Sequence, residues 1–186
     1  LETRIRKTVE VARARASRVD VLIFSDHGMV ETRESRDIMG IIARLGLREN
    51  RDYVAFYDST MARFWFQDED VREEAAAFLA EAEDGGRIVS REELVRWGCN
   101  FPGDKYGEMI YLLPPGSIFA PSFMNQRWVK GMHGYEPEHA DCDASWLTNA
   151  EGRDAGHLTE IFPNMLEAAG IAPEVSAKIL RPIVAV

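Results

Sequence analysis

The sequence predicts an α/β protein, a layered sheet with helices on both faces and a small α+β insertion at residues 50–100. Three observations carry that prediction. The run "VDVLIF" at 19–24 is almost continuously apolar instead of alternating, as in a strand buried on both faces. Patterns of helical period flank it on both sides. From 50 to 100 the strand and helix signals fall in the order ββαβα, the signature of a compact α+β lobe. The chain has 186 residues, 46% of them hydrophobic, enough for one ordinary core with a small appended lobe.

Ile5, Val9, Ala12 and Ala16 recur at steps of four, three and four, so they share one face of a first helix. The strand at Val19–Phe24 follows, and the stretch "SDHGM" at 25–29 falls in the loop between that strand and a second helix. Ile38, Ile41, Ile42 and Leu45 mark the second helix, with Gly46 as its C-terminal cap. "DYVAFYDSTMARFWFQ" at 52–67 gives two aromatic strands around a turn near Ser59 and Thr60. Asp68 caps a third helix carrying Val71, Ala75, Phe78, Leu79 and Ala82, with acids in its first turn and "EDGG" at its end. A short strand at Arg87–Val89 and a short helix at Arg91–Trp97 complete the lobe. Beyond a Gly/Pro/aromatic loop, Met109–Leu113 is a strand stopped by Pro114 and Pro115. A further strand is expected at Ala144–Leu147. A last helix, lined by Ile161, Met165, Leu166 and Ala169, stops at Gly170 and Pro173. No internal repeat or low-complexity segment interrupts this order.

The formal net charge of −9 excludes a surface built to attract phosphate backbones, so nucleic acid is not expected as a scaffold partner. A small anion remains admissible where a local cation or metal sets the field. Cys99 and Cys142 are too few for a disulfide framework, and their neighbours lack the paired spacing of a structural zinc site. No run approaches the roughly 18–20 apolar residues of a membrane span. The cellular compartment is not fixed by these features. The chain opens on Leu1 in a segment that is already helical, "LETRIRKTVEVARARAS", and is read as the later part of something longer.

The residues with chemistry cluster in two places. Asp26 and His27 stand at the expected carboxyl end of a buried strand, where open α/β sheets place their ligands. An adjacent acid and imidazole can share one divalent cation when the backbone turns sharply, and Gly28 permits such a turn without a Cβ clash. The same triplet also suits a turn capped by Asp26 beside an ordinary loop histidine, and spacing alone leaves both open. In "KGMHGYEPEH" at 130–139, His133 lies between Gly131 and Gly134, so its ring can project toward a site or serve as a simple loop residue. His139 lies six residues on. Asp141 and Asp143 are acids before a strand, a common place for solvated turn residues. His157 suits a cap or a packing role. Tyr53, Phe56, Phe64, Trp65 and Phe66 suit the core of a small sheet better than a stacking platform. Arg127 and Lys130 could meet an anion, although lone basic residues on loops are usually solvated.

Taken in order, "IFSDHGM" at 23–29, "KGMHGYEPEH" at 130–139 and "LTEIFPNMLEAAGI" at 158–171 resemble the carboxyl half of the alkaline phosphatase superfamily. Its nearest branch is the type I phosphodiesterase/nucleotide pyrophosphatase group, which the later "HGY" favours over the sulfatases and phosphopentomutases that share triplets like "DHG". The resemblance covers most of the chain and is weakest across 50–100. It implies that residues 1–186 are the carboxyl-terminal part of one alkaline phosphatase-like domain, with the lobe at 50–100 inserted in it.

In such enzymes the acid and histidine of "DHG" hold the metal that also carries a Thr or Ser nucleophile, which assigns that role to Asp26 and His27. The histidine of "HGY" holds the other metal, which assigns it to His133. The resemblance further implies two divalent ions, zinc or else manganese, about 4 Å apart, and in-line attack on phosphorus by a metal-activated hydroxyl. The implied substrate is a small phosphorylated molecule such as a nucleotide or phosphodiester. The alternatives are a phosphomonoesterase, phosphomutase or sulfatase of the same superfamily, or a non-catalytic binding or structural fragment of that fold. This chain departs from the pattern in one respect: the nucleophile and the remaining ligands should precede "DHG". Only 25 residues precede Asp26 and none is a histidine. Asp20 does not replace the missing acid, and Thr3, Thr8 and Ser17 sit in or beside the first helix. The chain is therefore expected to lack the nucleophile and to be inactive alone.

Overall fold

A computed structural model describes residues 1–82, 85–152 and 154–171. The elements in chain order are α1 (Glu2–Arg13), β1 (Leu22–Phe24), β2 (Val30–Glu31), β3 (Glu34–Arg36), α2 (Ile38–Ala43), β4 (Tyr53–Tyr57) and β5 (Met61–Phe66). They continue with α3 (Glu69–Ala80), β6 (Arg87–Ile88), α4 (Arg91–Arg96), β7 (Met109–Leu112), β8 (Ser117–Phe119), β9 (Gly131–Met132), β10 (Trp146–Thr148) and α5 (Ile161–Ala168). The chain is a mixed α/β protein, the fold class expected. It divides into two units, one formed by Leu1–Asp26 with Ala144–Val186 and the other by His27–Asp143.

In the first unit α1 half-buries Ile5, Val9 and Ala12, the face that the periodicity marks, and stops at Arg13 before reaching Ala16. β1 pairs antiparallel with β10 through Leu22↔Thr148, Ile23↔Leu147 and Phe24↔Trp146. This strand is shorter than the apolar run and is not buried on both faces, since Phe24 is 44% exposed. The ladder stops short because of Asn149. Its side chain accepts from the Val21 N–H at 2.6 Å and donates to the Val19 carbonyl at 3.0 Å, so a side chain satisfies the backbone where a longer ladder was expected. α5 buries Ile161 and ends near Gly170, while the expected stop at Pro173 lies outside the described residues. His157 caps the turn that leads into α5, its Nδ1 accepting from the Thr159 N–H at 3.3 Å.

The second unit is built on an antiparallel sheet in the order β4-β5-β7-β6. Alternation along the aromatic strands puts Tyr53, Ala55, Tyr57, Ala62, Phe64, Met109 and Tyr111 into one buried cluster, covered by Ile38 and Ile42 of α2 and Leu79 of α3. Large and small side chains face each other across the ladder. Ala62 lies between Tyr57 and Tyr111, and Phe64 between Ala55 and Met109. The other face carries Phe56, with the Arg63 guanidinium 4.6 Å from its ring centre. Both lobe helices start as their sequences dictate. The Asp68 carboxylate accepts from the Val71 N–H at 3.0 Å, and Ser90 and Glu93 form a reciprocal capping box. α3 ends at Ala80, short of Ala82, and Glu83 and Asp84 of "EDGG" lie outside the described residues.

Short strands absent from the expected order complete this unit. β3 runs parallel to β8, and β2 pairs antiparallel with β9 through Val30↔Met132 and Glu31↔Gly131. The loop expected to run from "SDHGM" straight into a helix thus contains β2 and β3. These strands place the candidate residues.

Candidate functional site

The two histidine motifs are about a hundred residues apart in sequence and meet because β2 and β9 pair. His27 lies three residues before Val30, and His133 directly follows Met132, so this two-residue ladder sets one imidazole beside the other. Their ring centres are 3.7 Å apart and the planes differ by 16°, a stacked pair. His27 is half-buried and His133 exposed.

The chain before this ladder is held against the segment that follows His139. The Gly28 N–H donates to the Cys142 carbonyl at 2.9 Å. A Cβ on residue 28 would collide with the Asp141 carbonyl oxygen and come within 2.8 Å of the Asp143 carbonyl oxygen. Gly28 is therefore required for close approach, and its φ lies outside the left-handed region. The His27 Nδ1 is 2.7 Å from the Gly28 carbonyl oxygen. That oxygen can only accept, so in the neutral ring Nδ1 carries the proton and Nε2 keeps its lone pair.

On the other side, Gly134 takes a left-handed φ of 88° and its carbonyl accepts from the Thr60 hydroxyl at 2.7 Å. Tyr135 is buried, with its hydroxyl donating to the Ser117 carbonyl at 2.9 Å, and burial pushes its pKa up to about 12. Farther along, the Glu138 carboxylate accepts from the Trp97 indole N–H at 2.6 Å and from Arg96 at 3.1 Å. Those bonds, with the indole contributing most, hold its pKa below the usual carboxylate range. His139 is spent locally, its Nδ1 accepting from the Asp141 N–H.

Of the three residues singled out as ligands, the structure brings His27 and His133 together. Asp26 is exposed and belongs to the first unit, whereas the imidazole pair lies within the second. Arg127, Lys130, Asp141 and Asp143 are exposed. Among the described residues, no group of three or more His, Cys, Asp or Glu side chains is gathered so as to hold a metal ion. The Nδ1 hydrogen bond to the Gly28 carbonyl fixes the His27 ring in the Nδ1–H tautomer, the form in which an imidazole ligates through Nε2. Nearly parallel rings have lone pairs in nearly parallel planes, which do not converge on one point. The stacked pair is therefore not arranged to ligate one ion together, and by itself it completes no metal shell. Thr60 and Tyr135 are the supporting residues that sequence reasoning missed. The only signal for them was the pair of glycines flanking His133, which marks a backbone that something else must hold.

No protein-family model matches the chain, and no curated protein is similar to it in sequence. Solved structures do match in fold. Human ectonucleotide pyrophosphatase/phosphodiesterase 5 superposes with a TM-score of 0.66 at 17% identity, covering 89% of this chain and 44% of that one. The murine protein of the same name gives 0.66 at 16% identity with the same coverage. An inactive murine variant solved in complex with AMP gives 0.65 at 17% identity, again over 89% and 44%. The chain thus has the fold of part of these structures and spans less than half their length.

Proposed function

We propose that this chain is the carboxyl-side portion of a metal-dependent phosphoesterase that hydrolyses phosphodiesters or nucleotide pyrophosphates. The observation that carries this reading is the stacking of His27 on His133 within a fold shared with nucleotide pyrophosphatase/phosphodiesterase structures. On this reading Asp26 and His27 hold one divalent ion and His133 the other, with zinc the first choice and manganese the second. Bound there, the ions would polarise the phosphoryl oxygens and lower the pKa of the attacking hydroxyl. The chain's own contribution is to orient two imidazoles with fixed ring positions. The Thr or Ser nucleophile and the other ligands belong to the part of the fold beyond this chain. A nucleotide is the favoured substrate class, in keeping with the murine structure solved with AMP. Metal cations reconcile such an anion with a net charge of −9.

Two measurements test the reading. Zinc added to the 186-residue chain is expected to perturb the His27 and His133 resonances and to leave His157 unmoved, whereas equal effects on all histidines would count against the site. In a protein comprising the whole fold, His27→Ala is expected to lower phosphodiester hydrolysis by more than about 100-fold, beyond the ~10–100-fold lost with an outer partner. Unchanged hydrolysis would refute the assignment. The 186-residue chain alone, given zinc or manganese, is expected to turn over no phosphodiester. Turnover abolished by His27→Ala would show that it carries its own nucleophile.

A further inference from the structure

We infer that Thr60, in the turn between β4 and β5, is a positioning residue for His133. The inference rests on the reading of His133 as a ligand and explains how an exposed side chain acquires a defined place. Burial cannot hold the ring, because His133 is exposed, so its backbone must be held instead. On its N-terminal side the restraint is the two-residue pairing of β9 with β2. On its C-terminal side the first restraint is the Thr60 hydroxyl, which donates to the carbonyl of Gly134, the residue bonded directly to His133.

Thr60 is suited to this work. It is 2% exposed, and its own carbonyl accepts from the Leu113 N–H at 2.9 Å. The neighbouring Ser59 carbonyl accepts from the Phe119 N–H at 2.7 Å, and the Ser59 hydroxyl accepts from the Asn125 side-chain amide at 2.5 Å. The turn is thus tied to three other segments and forms a fixed point. Gly134 is shaped to meet it. A Cβ there would stand 3.1 Å from the Thr60 Oγ1, on a backbone whose φ of 88° already disfavours any side chain. The hydroxyl and the glycine are therefore a matched pair, and Thr60 connects the sheet core to the ring that stacks on His27.

The test uses the metal-free 186-residue chain and reads cross-relaxation between the protons of the two imidazoles, so metal affinity does not enter. Thr60→Val keeps the shape of the side chain and removes the donor. The inter-ring cross-peaks are expected to vanish while the amide spectrum of β4, β5 and β7 stays in place, and Thr60→Ser, which restores the hydroxyl, is expected to recover them. Cross-peaks that persist in Thr60→Val would overturn the inference. So would their loss in Thr60→Ser, because the hydroxyl would then not be the operative group. Should Thr60→Val disturb the sheet, Gly134→Ala applies the same question from the other side. The added Cβ would crowd the Thr60 hydroxyl from the Gly134 side, so it is expected to abolish the cross-peaks while the amides of β4, β5 and β7 keep their places, and survival of the cross-peaks would likewise refute the inference. None of these outcomes bears on whether the histidines bind metal, which the zinc titration decides independently.

Discussion

Gly28 shows what a single hydrogen atom in place of a methyl group can determine. The added Cβ would meet carbonyl oxygens of Asp141 and Asp143, which are backbone atoms and cannot rotate away. Either the loop before β2 or the segment at 141–143 must shift, and the Gly28–Cys142 hydrogen bond is lost with the move. Gly28→Ala is therefore expected to cost about 1–3 kcal/mol, the usual range for forcing a carbon into an occupied space. Denaturant melts compared with wild type check this, and a loss below ~0.5 kcal/mol would show that the segment gives way. His27 and His133 were each visible in the sequence as candidates because a histidine beside glycine is conspicuous. Their stacking was not, because it depends on the pairing of Val30–Glu31 with Gly131–Met132, four residues with no periodic signal. Thr60 read only as a turn residue, since nothing local shows that its hydroxyl reaches a carbonyl 74 positions away.

At the scale of elements, legibility followed the length of the apolar pattern. The β4–β5 hairpin, the starts of α3 and α4 and the stop of β7 before Pro114 all came from local rules of alternation, capping and proline geometry. β2, β3, β8 and β9 escaped because each is two or three residues long and exists only through its partner. The strand run at 19–24 was overread for the converse reason: its composition fits a longer ladder, but the Asn149 side chain takes the hydrogen bonds of Val19 and Val21. The sheet itself makes a sharper prediction. Ala62 is fully buried between Tyr57 and Tyr111 on adjacent strands, so the small residue is what lets two tyrosines lie on either side of it. Ala62→Leu adds three carbons to a space with no slack and should destabilise by roughly 1–3 kcal/mol. If Tyr111→Ala in the same chain makes that leucine less costly than it is alone, the strain is located between these strands, and an additive double variant would place it elsewhere.

Across the whole molecule, apolar burial is unevenly divided between the two units. The aromatic and aliphatic cluster of β4, β5 and β7 with α2 and α3 lies entirely in His27–Asp143. In the other unit Ile161 is the one buried hydrophobic residue among the described residues, and Phe24, Leu147, Leu158 and Met165 are each more than 40% exposed. A two-stranded ribbon such as β1–β10 is marginal without a buried face to support it. Local opening follows local burial, so native-state hydrogen exchange should separate the units. The amides of Val89, Leu113 and Phe119, bonded within or beside the four-stranded sheet, are expected to exchange slowest and to report global unfolding. Those of Ser25 and Asn149, bonded across the β1–β10 ribbon, should exchange at least ~100-fold faster, a gap of roughly 3 kcal/mol at 1.4 kcal/mol per factor of ten. Equal protection at both sets would mean that the units unfold as one cooperative body and that the exposed apolar side chains of the first unit do not govern its opening. Protection that is high in the sheet and low in the ribbon would instead show that the β1–β10 ribbon opens without unfolding the core of His27–Asp143, as its sparse apolar burial predicts.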